Sequence, residues 1–70
     1  MTEIPPHVIR MIEESEHLAD RIGKLCAFIV GQIYPTLDKT DQTLLSAQVG
    51  AMTTYLQVLS LRIERAQLKD

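Results

Sequence analysis

The stretch from Leu44 to Ile63, Leu-Leu-Ser-Ala-Gln-Val-Gly-Ala-Met-Thr-Thr-Tyr-Leu-Gln-Val-Leu-Ser-Leu-Arg-Ile, decides the fold. Within it and just beyond, Leu45, Gln48, Met52, Tyr55, Leu59, Arg62 and Ala66 stand alternately three and four residues apart. That spacing places side chains on one face of a helix and sustains a single stripe for about six turns. The stripe is apolar except at Gln48 and Arg62. Read as the inward face, it predicts partners for that amide and guanidinium, because buried polar groups are costly when unpaired.

Upstream, Val8, Met11, Ser15, Leu18, Ile22, Leu25 and Ile29 repeat the alternation. This is a heptad seam, held for about three repeats. Pro5 and Pro6 suit a first helical turn, where a missing N–H costs nothing. The spacing predicts a first helix over about 6–32, a connection over 33–40 and a second helix over 41–67, with Lys69 near its end. Gly31 and Pro35 interrupt the helical run, and Asp38, Thr40 and Asp41 are each suited to cap the next. Long helices joined by so short a segment fold back antiparallel. The expected fold is all-α, an antiparallel two-helix hairpin within a single domain spanning 1–70.

Size bounds what such a hairpin does alone. The chain has 70 residues, 46% of them hydrophobic, with only Phe28, Tyr34 and Tyr55 aromatic. Chains this short bury little of their surface and lean on disulfides, metal or self-association. The single Cys26 excludes an internal disulfide, and no cysteine/histidine cluster suggests zinc. Assembly into a compact homo-oligomeric helical bundle is therefore expected. Cys26 reads as a small buried hydrophobe.

Seven Lys and Arg against nine Asp and Glu give a net charge of −2. A nucleic-acid polymer, whose binding rests on phosphate neutralisation, is a poor partner for such a chain. A small phosphorylated ligand needs only a few local cations. No segment approaches the ~20 apolar residues of a membrane span, and the first residues are not those of a signal peptide. The expectation is a cytoplasmic chain with no membrane partner.

On the first helix Arg10, Glu14, His17, Arg21, Lys24 and Phe28 share a mostly basic stripe beside the seam. Cations aimed at phosphates and planar groups stacked on bases are what a small nucleotide-like ligand requires. Arg21 and Lys24 supply charge; His7 or His17 supplies a plane. The plainer alternative is a solvated face crossed by Glu14–Arg21 and Asp20–Lys24 pairs. Arg62 has a similar alternative, lying along the helix end with its charge in water. Gln48 reads as a hydrogen-bonding residue that fixes interface register, and Tyr55 and Phe28 as packing. Ser15, Ser46 and Ser60 lack a base partner, no glycine loop cradles phosphate, and Glu14-x-x-His17 has no counterpart on the second helix. No catalytic site, metal site or cofactor is expected.

Lys24-Leu25-x-x-Phe28-Ile29, followed by Leu44-Leu45-x-x-Gln48-x-x-x-Met52-x-x-Tyr55-x-x-x-Leu59-x-x-Arg62-Ile63, resembles a known family. It is similar, from about His7 to Ile63, to the short phage proteins whose helical hairpin is shared by anti-CBASS cyclic-nucleotide sponges and Thoeris anti-defence sponges. The resemblance implies a homo-oligomer, hexameric in characterised sponges. Such an assembly captures cyclic di- or trinucleotide messengers in the infected bacterium's cytoplasm without cleaving them. It further implies a cyclic-dinucleotide pocket using an early aromatic and a Lys, matched by Lys24. A trinucleotide pocket using an Arg of the second helix is matched by Arg65 or Arg62. No Tyr or Phe stands in the first two turns, so His7 is the planar group there and the messenger is left open.

Overall fold

The computed structural model describes residues 3–68. It contains two helices and one short 3₁₀ turn: α1 spans Pro6–Ile29 and α2 spans Lys39–Leu68, with the turn at Tyr34–Thr36 between them. The helices pack antiparallel as a hairpin measuring 54 × 15 × 14 Å. Among the described residues no strand occurs, and no helix is long and apolar enough to cross a membrane. Lys69 lies outside the described residues.

The first turn of α1 is built on Pro5, whose carbonyl accepts from Val8 N at 3.0 Å and Ile9 N at 3.1 Å. Pro6 then occupies a position where its missing N–H leaves nothing unpaired. The α1 seam is as the spacing predicts. Val8 and Leu18 are buried, while Met11, Ser15, Ile22, Leu25 and Ile29 are half-buried. Ser15 satisfies its hydroxyl locally by donating to the Ile12 carbonyl at 2.7 Å.

α1 stops at Ile29, three residues before the expected end. Val30 takes φ −86° and ψ 0°, and Gly31 N returns to the Phe28 carbonyl at 3.1 Å. A Cβ at Gly31 would stand 3.3 Å from that same carbonyl oxygen, so the close return favours glycine. The connection is then fastened by polar side chains. Tyr34 Oη donates to the Gln42 carbonyl at 2.9 Å and lies 3.2 Å from Ser46 Oγ. Gln42 Nε2 donates back to the carbonyls of Tyr34 and Leu37, each at 3.1 Å. Asp38 is the cap of α2, its Oδ1 accepting from Asp41 N at 2.8 Å. That choice starts α2 at Lys39, two residues earlier than expected.

On α2 the inward face differs from the expected stripe. Leu45, Met52, Leu59 and Ala66 do face α1, but Gln48, Tyr55 and Arg62 are exposed. Val49, Leu56 and Ile63 take the inward places instead. Two heptad seams share the same spine, and the hairpin uses the one whose second flank is wholly apolar. Gln48 and Arg62 therefore need no buried partners. Gln48 Nε2 approaches Met52 Sδ at 3.8 Å within its own helix.

The core is thin. Leu59, Val8 and Leu18 are 0%, 2% and 7% exposed and are the buried side chains among the described residues. The accessible surface is 5594 Å². A compact monomer of 7.9 kDa exposes about 4,400 Å². Exposed apolar side chains include Leu44, Val58, Leu61 and Leu68 on α2. Cys26 is also exposed rather than buried, because α1 turns only its seam toward α2.

Candidate functional site

The antiparallel register determines which polar residues meet. Tyr55 of α2 donates to Glu14 Oε2 of α1 at 2.5 Å. In an antiparallel pair, moving one heptad back along one helix means moving one heptad forward along the other. From Glu14 and Tyr55, one such step brings His7 opposite Arg62, and both line one groove. Two steps the other way bring Phe28 opposite Asp41, and those two line a second groove. One flank of the hairpin is thus a ladder of facing residues, with the rung between Glu14 and Tyr55 closed by a hydrogen bond.

The groove at the His7 rung lies where α1 begins and α2 ends. It encloses about 460 Å³ and is lined by Pro5, His7, Val8, Met11, Arg62, Arg65 and Ala66. Its floor is apolar; its rim carries two guanidinium groups and an imidazole. The positive end of the α1 dipole and the negative end of the α2 dipole meet here and offset each other, so the charge of the groove rests on its side chains. Arg65 also stands in the last turn of α2, where a cation is favoured by the opposite dipole end. The combination is a shallow cationic pocket, suited to a phosphate or phosphodiester group with a flat, weakly polar body against the floor.

The structure brings together three of the residues singled out from sequence, His7, Arg62 and Arg65. It does not bring Lys24 to them. Lys24 lies roughly 25 Å further along α1 and is exposed. Its Nζ is paired with Asp20 Oδ2 at 3.1 Å, the ion pair found among the described residues. Arg10, His17 and Arg21 are exposed on α1. The anticipated Glu14–Arg21 pair gives way to the bond between Glu14 and Tyr55.

Tyr55 is the residue whose part the spacing understated. Its hydrogen bond to Glu14 is the largest cause of a pKa raised above the usual tyrosine value of 10.0. Desolvation and the nearby Glu14 charge push the same way, and Arg62 opposes them. The phenol thus holds its proton, joins the two helices and stands one heptad from the cationic groove. A signal was available: Glu14 and Tyr55 are each on the flank beside a seam, at heights that an antiparallel hairpin matches.

The second groove, of about 310 Å³, is lined by Phe28, Leu37, Asp41, Leu44, Leu45 and Gln48 at the connected end. It offers apolar surface and a carboxylate, the reverse of what an anion needs.

A protein-family model named Sequestin matches residues 5–65. The chain belongs to the Sequestin family. The match takes in α1, the connection, α2 as far as Arg65 and the groove lining except Ala66, and it agrees with the resemblance to phage anti-defence sponges. Sequestin membership fits capture of a small signalling molecule, a sequestering rather than a catalytic role. Comparison with curated proteins and with solved structures returns no match.

Proposed function

We propose that this Sequestin-family chain is a phage anti-defence sponge, which binds a cyclic di- or trinucleotide immune messenger and withholds it, uncleaved, from its effector. One observation carries the reading: His7, Arg62 and Arg65 converge on a single groove at the end of the hairpin. Two neighbouring guanidiniums suit the phosphodiester charges, and an imidazole suits a base face. The apolar floor of Val8, Met11 and Ala66 suits the ribose and the remaining base surface.

The groove is open on the single chain. A tight sponge closes over its ligand, so the active form is a homo-oligomer, hexameric by the resemblance, in which further copies complete the pocket. Lys24, Arg21, His17 and Arg10 then contribute a second contact surface between copies, with Lys24 exchanging Asp20 for phosphate. The whole chain acts as one domain in the cytoplasm of the infected bacterium, against CBASS.

The test is thermal melting of the purified protein against cyclic dinucleotides, cyclic trinucleotides and cyclised ADP-ribose isomers. A ligand at a hundred times its dissociation constant adds about 2.7 kcal/mol per site, enough to move a small domain's melting temperature by many degrees. The expected result is a shift with one cyclic-oligonucleotide class and recovery of that ligand intact after denaturation. A shift with cyclised ADP-ribose alone would redirect the protein to Thoeris. No shift with any ligand would leave a helical-hairpin module that binds protein.

A further inference from the structure

The rung beside the cationic groove holds a carboxylate. Glu14 stands one heptad along α1 from His7, and Tyr55 one heptad along α2 from Arg62. Seven residues span about 10.5 Å of helix. Side chains lean toward the start of their own helix, and in an antiparallel pair the two starts lie at opposite ends. Glu14 therefore leans toward the groove, and Arg62 leans back toward Glu14. Opposite charges so placed attract, and an anion entering the groove competes with Glu14 for Arg62.

The carboxylate is engaged elsewhere. Glu14 Oε2 accepts from the Tyr55 hydroxyl at 2.5 Å. Among the described residues the ion pair is Lys24–Asp20, and Arg62 and Arg65 line the groove with no carboxylate on either. The other cations near Glu14 are poorly placed to hold it. Arg10 precedes it by four residues, the weaker order for a pair on one helix. His17 and Arg21 follow it, on the side from which its side chain leans away. Arg62 is near enough to act on the phenol, where its charge favours release of the proton against the pull of Glu14.

We propose that Tyr55 is a positioning residue: its hydroxyl draws the Glu14 carboxylate to itself and so leaves Arg62 open to an anion in the groove. The role rests on the ligand-capture reading above for its use, yet the arrangement of the three side chains is testable with no nucleotide present. Without the hydroxyl, Glu14 swings to Arg62, and an entering phosphate must displace a carboxylate before it binds. Tyr55 is 41% exposed and outside the buried core of Val8, Leu18 and Leu59, so Tyr55→Phe leaves that core intact.

Phenylglyoxal, which condenses with open guanidinium groups, reads each arginine separately when the modified peptides are followed by mass spectrometry. Arg62 should react readily in the wild type. In Tyr55→Phe its rate should fall roughly two- to fivefold, the reach of an exposed ion pair, with Arg10 and Arg65 unchanged. Adding Glu14→Gln should return Arg62 to the wild-type rate, because the amide carries no charge; a merely loosened helix pair would not be repaired by that change. Inorganic pyrophosphate should protect Arg62 in the wild type, and half-protection in Tyr55→Phe should need proportionately more. An Arg62 that is unreactive in the wild type, or whose rate is the same in Tyr55→Phe, overturns the proposal. Slow reaction that persists in the double variant overturns it too. Absence of pyrophosphate protection in the wild type would instead sink the groove as an anion site, and the rates alone would still judge the pair.

Discussion

The Tyr55 hydroxyl reaches across the hairpin to Glu14 Oε2, 2.5 Å away, a contact that one setting of the two helices allows. A slip by one heptad would separate His7 from Arg62, since both lie one heptad from the bonded pair. The cationic groove is therefore a consequence of helix register.

Stability at alkaline pH should report this bond. The pKa of Tyr55 is raised above 10.0 in the folded chain, chiefly by the hydrogen bond to Glu14, so the native state holds the proton more tightly than the unfolded state. Its contribution is then complete below the unfolded value and declines as pH rises through the folded one. Urea midpoints measured from about pH 8 to about pH 11 should fall at the upper end for the wild type. Tyr55→Phe should lower the midpoint below pH 10 and flatten that fall; an identical alkaline decline in the variant would place its origin in another group.

Leu59 is the most enclosed side chain, at 0% exposure. Leu59→Ala should destabilise the fold by roughly 2–5 kcal/mol, a severe loss in so slight a core. Ser60→Ala, next in sequence and exposed, should change stability by less than about 0.5 kcal/mol. Urea denaturation of both variants checks the contrast, and equal effects would mean that α2 packs on a different face.

Removing the cap of α2 should be felt in the whole hairpin. Asp38→Ala takes away the acceptor for Asp41 N and should cost about 1 kcal/mol. Asp38→Asn should retain most of that stability, because its amide oxygen accepts the same bond. Denaturation midpoints of the two variants compared directly give the answer.

Arg62→Ala and Arg65→Ala should each raise the dissociation constant for the bound messenger at least tenfold. A charge-assisted hydrogen bond contributes roughly 1.5–3 kcal/mol. Affinity should also fall with added salt, as expected for partly exposed charges. Calorimetric titration of wild type and variants provides the values. Loss of binding in Lys24→Ala with both arginine variants unaffected would transfer the ligand from the groove to the exposed face of α1.

Much of this architecture is legible in the sequence. The α1 seam is read correctly at every position from Val8 to Ile29, because one stripe there is apolar and its neighbours are charged. α2 is harder, since Leu45, Met52, Leu59 and Ala66 belong to two seams at once. The flank of Val49, Leu56 and Ile63 is wholly apolar where that of Gln48, Tyr55 and Arg62 is mixed, and the hairpin buries the first; the three- and four-residue spacing alone does not separate them. Of the groove residues, Arg62 and Arg65 are recognisable as cations on one helix end. Their meeting with His7 depends on interhelical register, which no single helix encodes. The end of α1 likewise depends on a backbone return at Val30 and Gly31 that periodicity does not describe.

The hydrogen bonds of Tyr34, Gln42 and Asp38 are all gathered at one extremity of the rod, and the cationic groove is at the other. The two extremities are therefore joined by different forces: polar bonds tie the helices at the connection, while the packing of Val8 and Leu59 ties them beside the groove. Rising temperature and denaturant should accordingly act on the two ends unequally, and amide exchange followed residue by residue along α1 and α2 reads the difference.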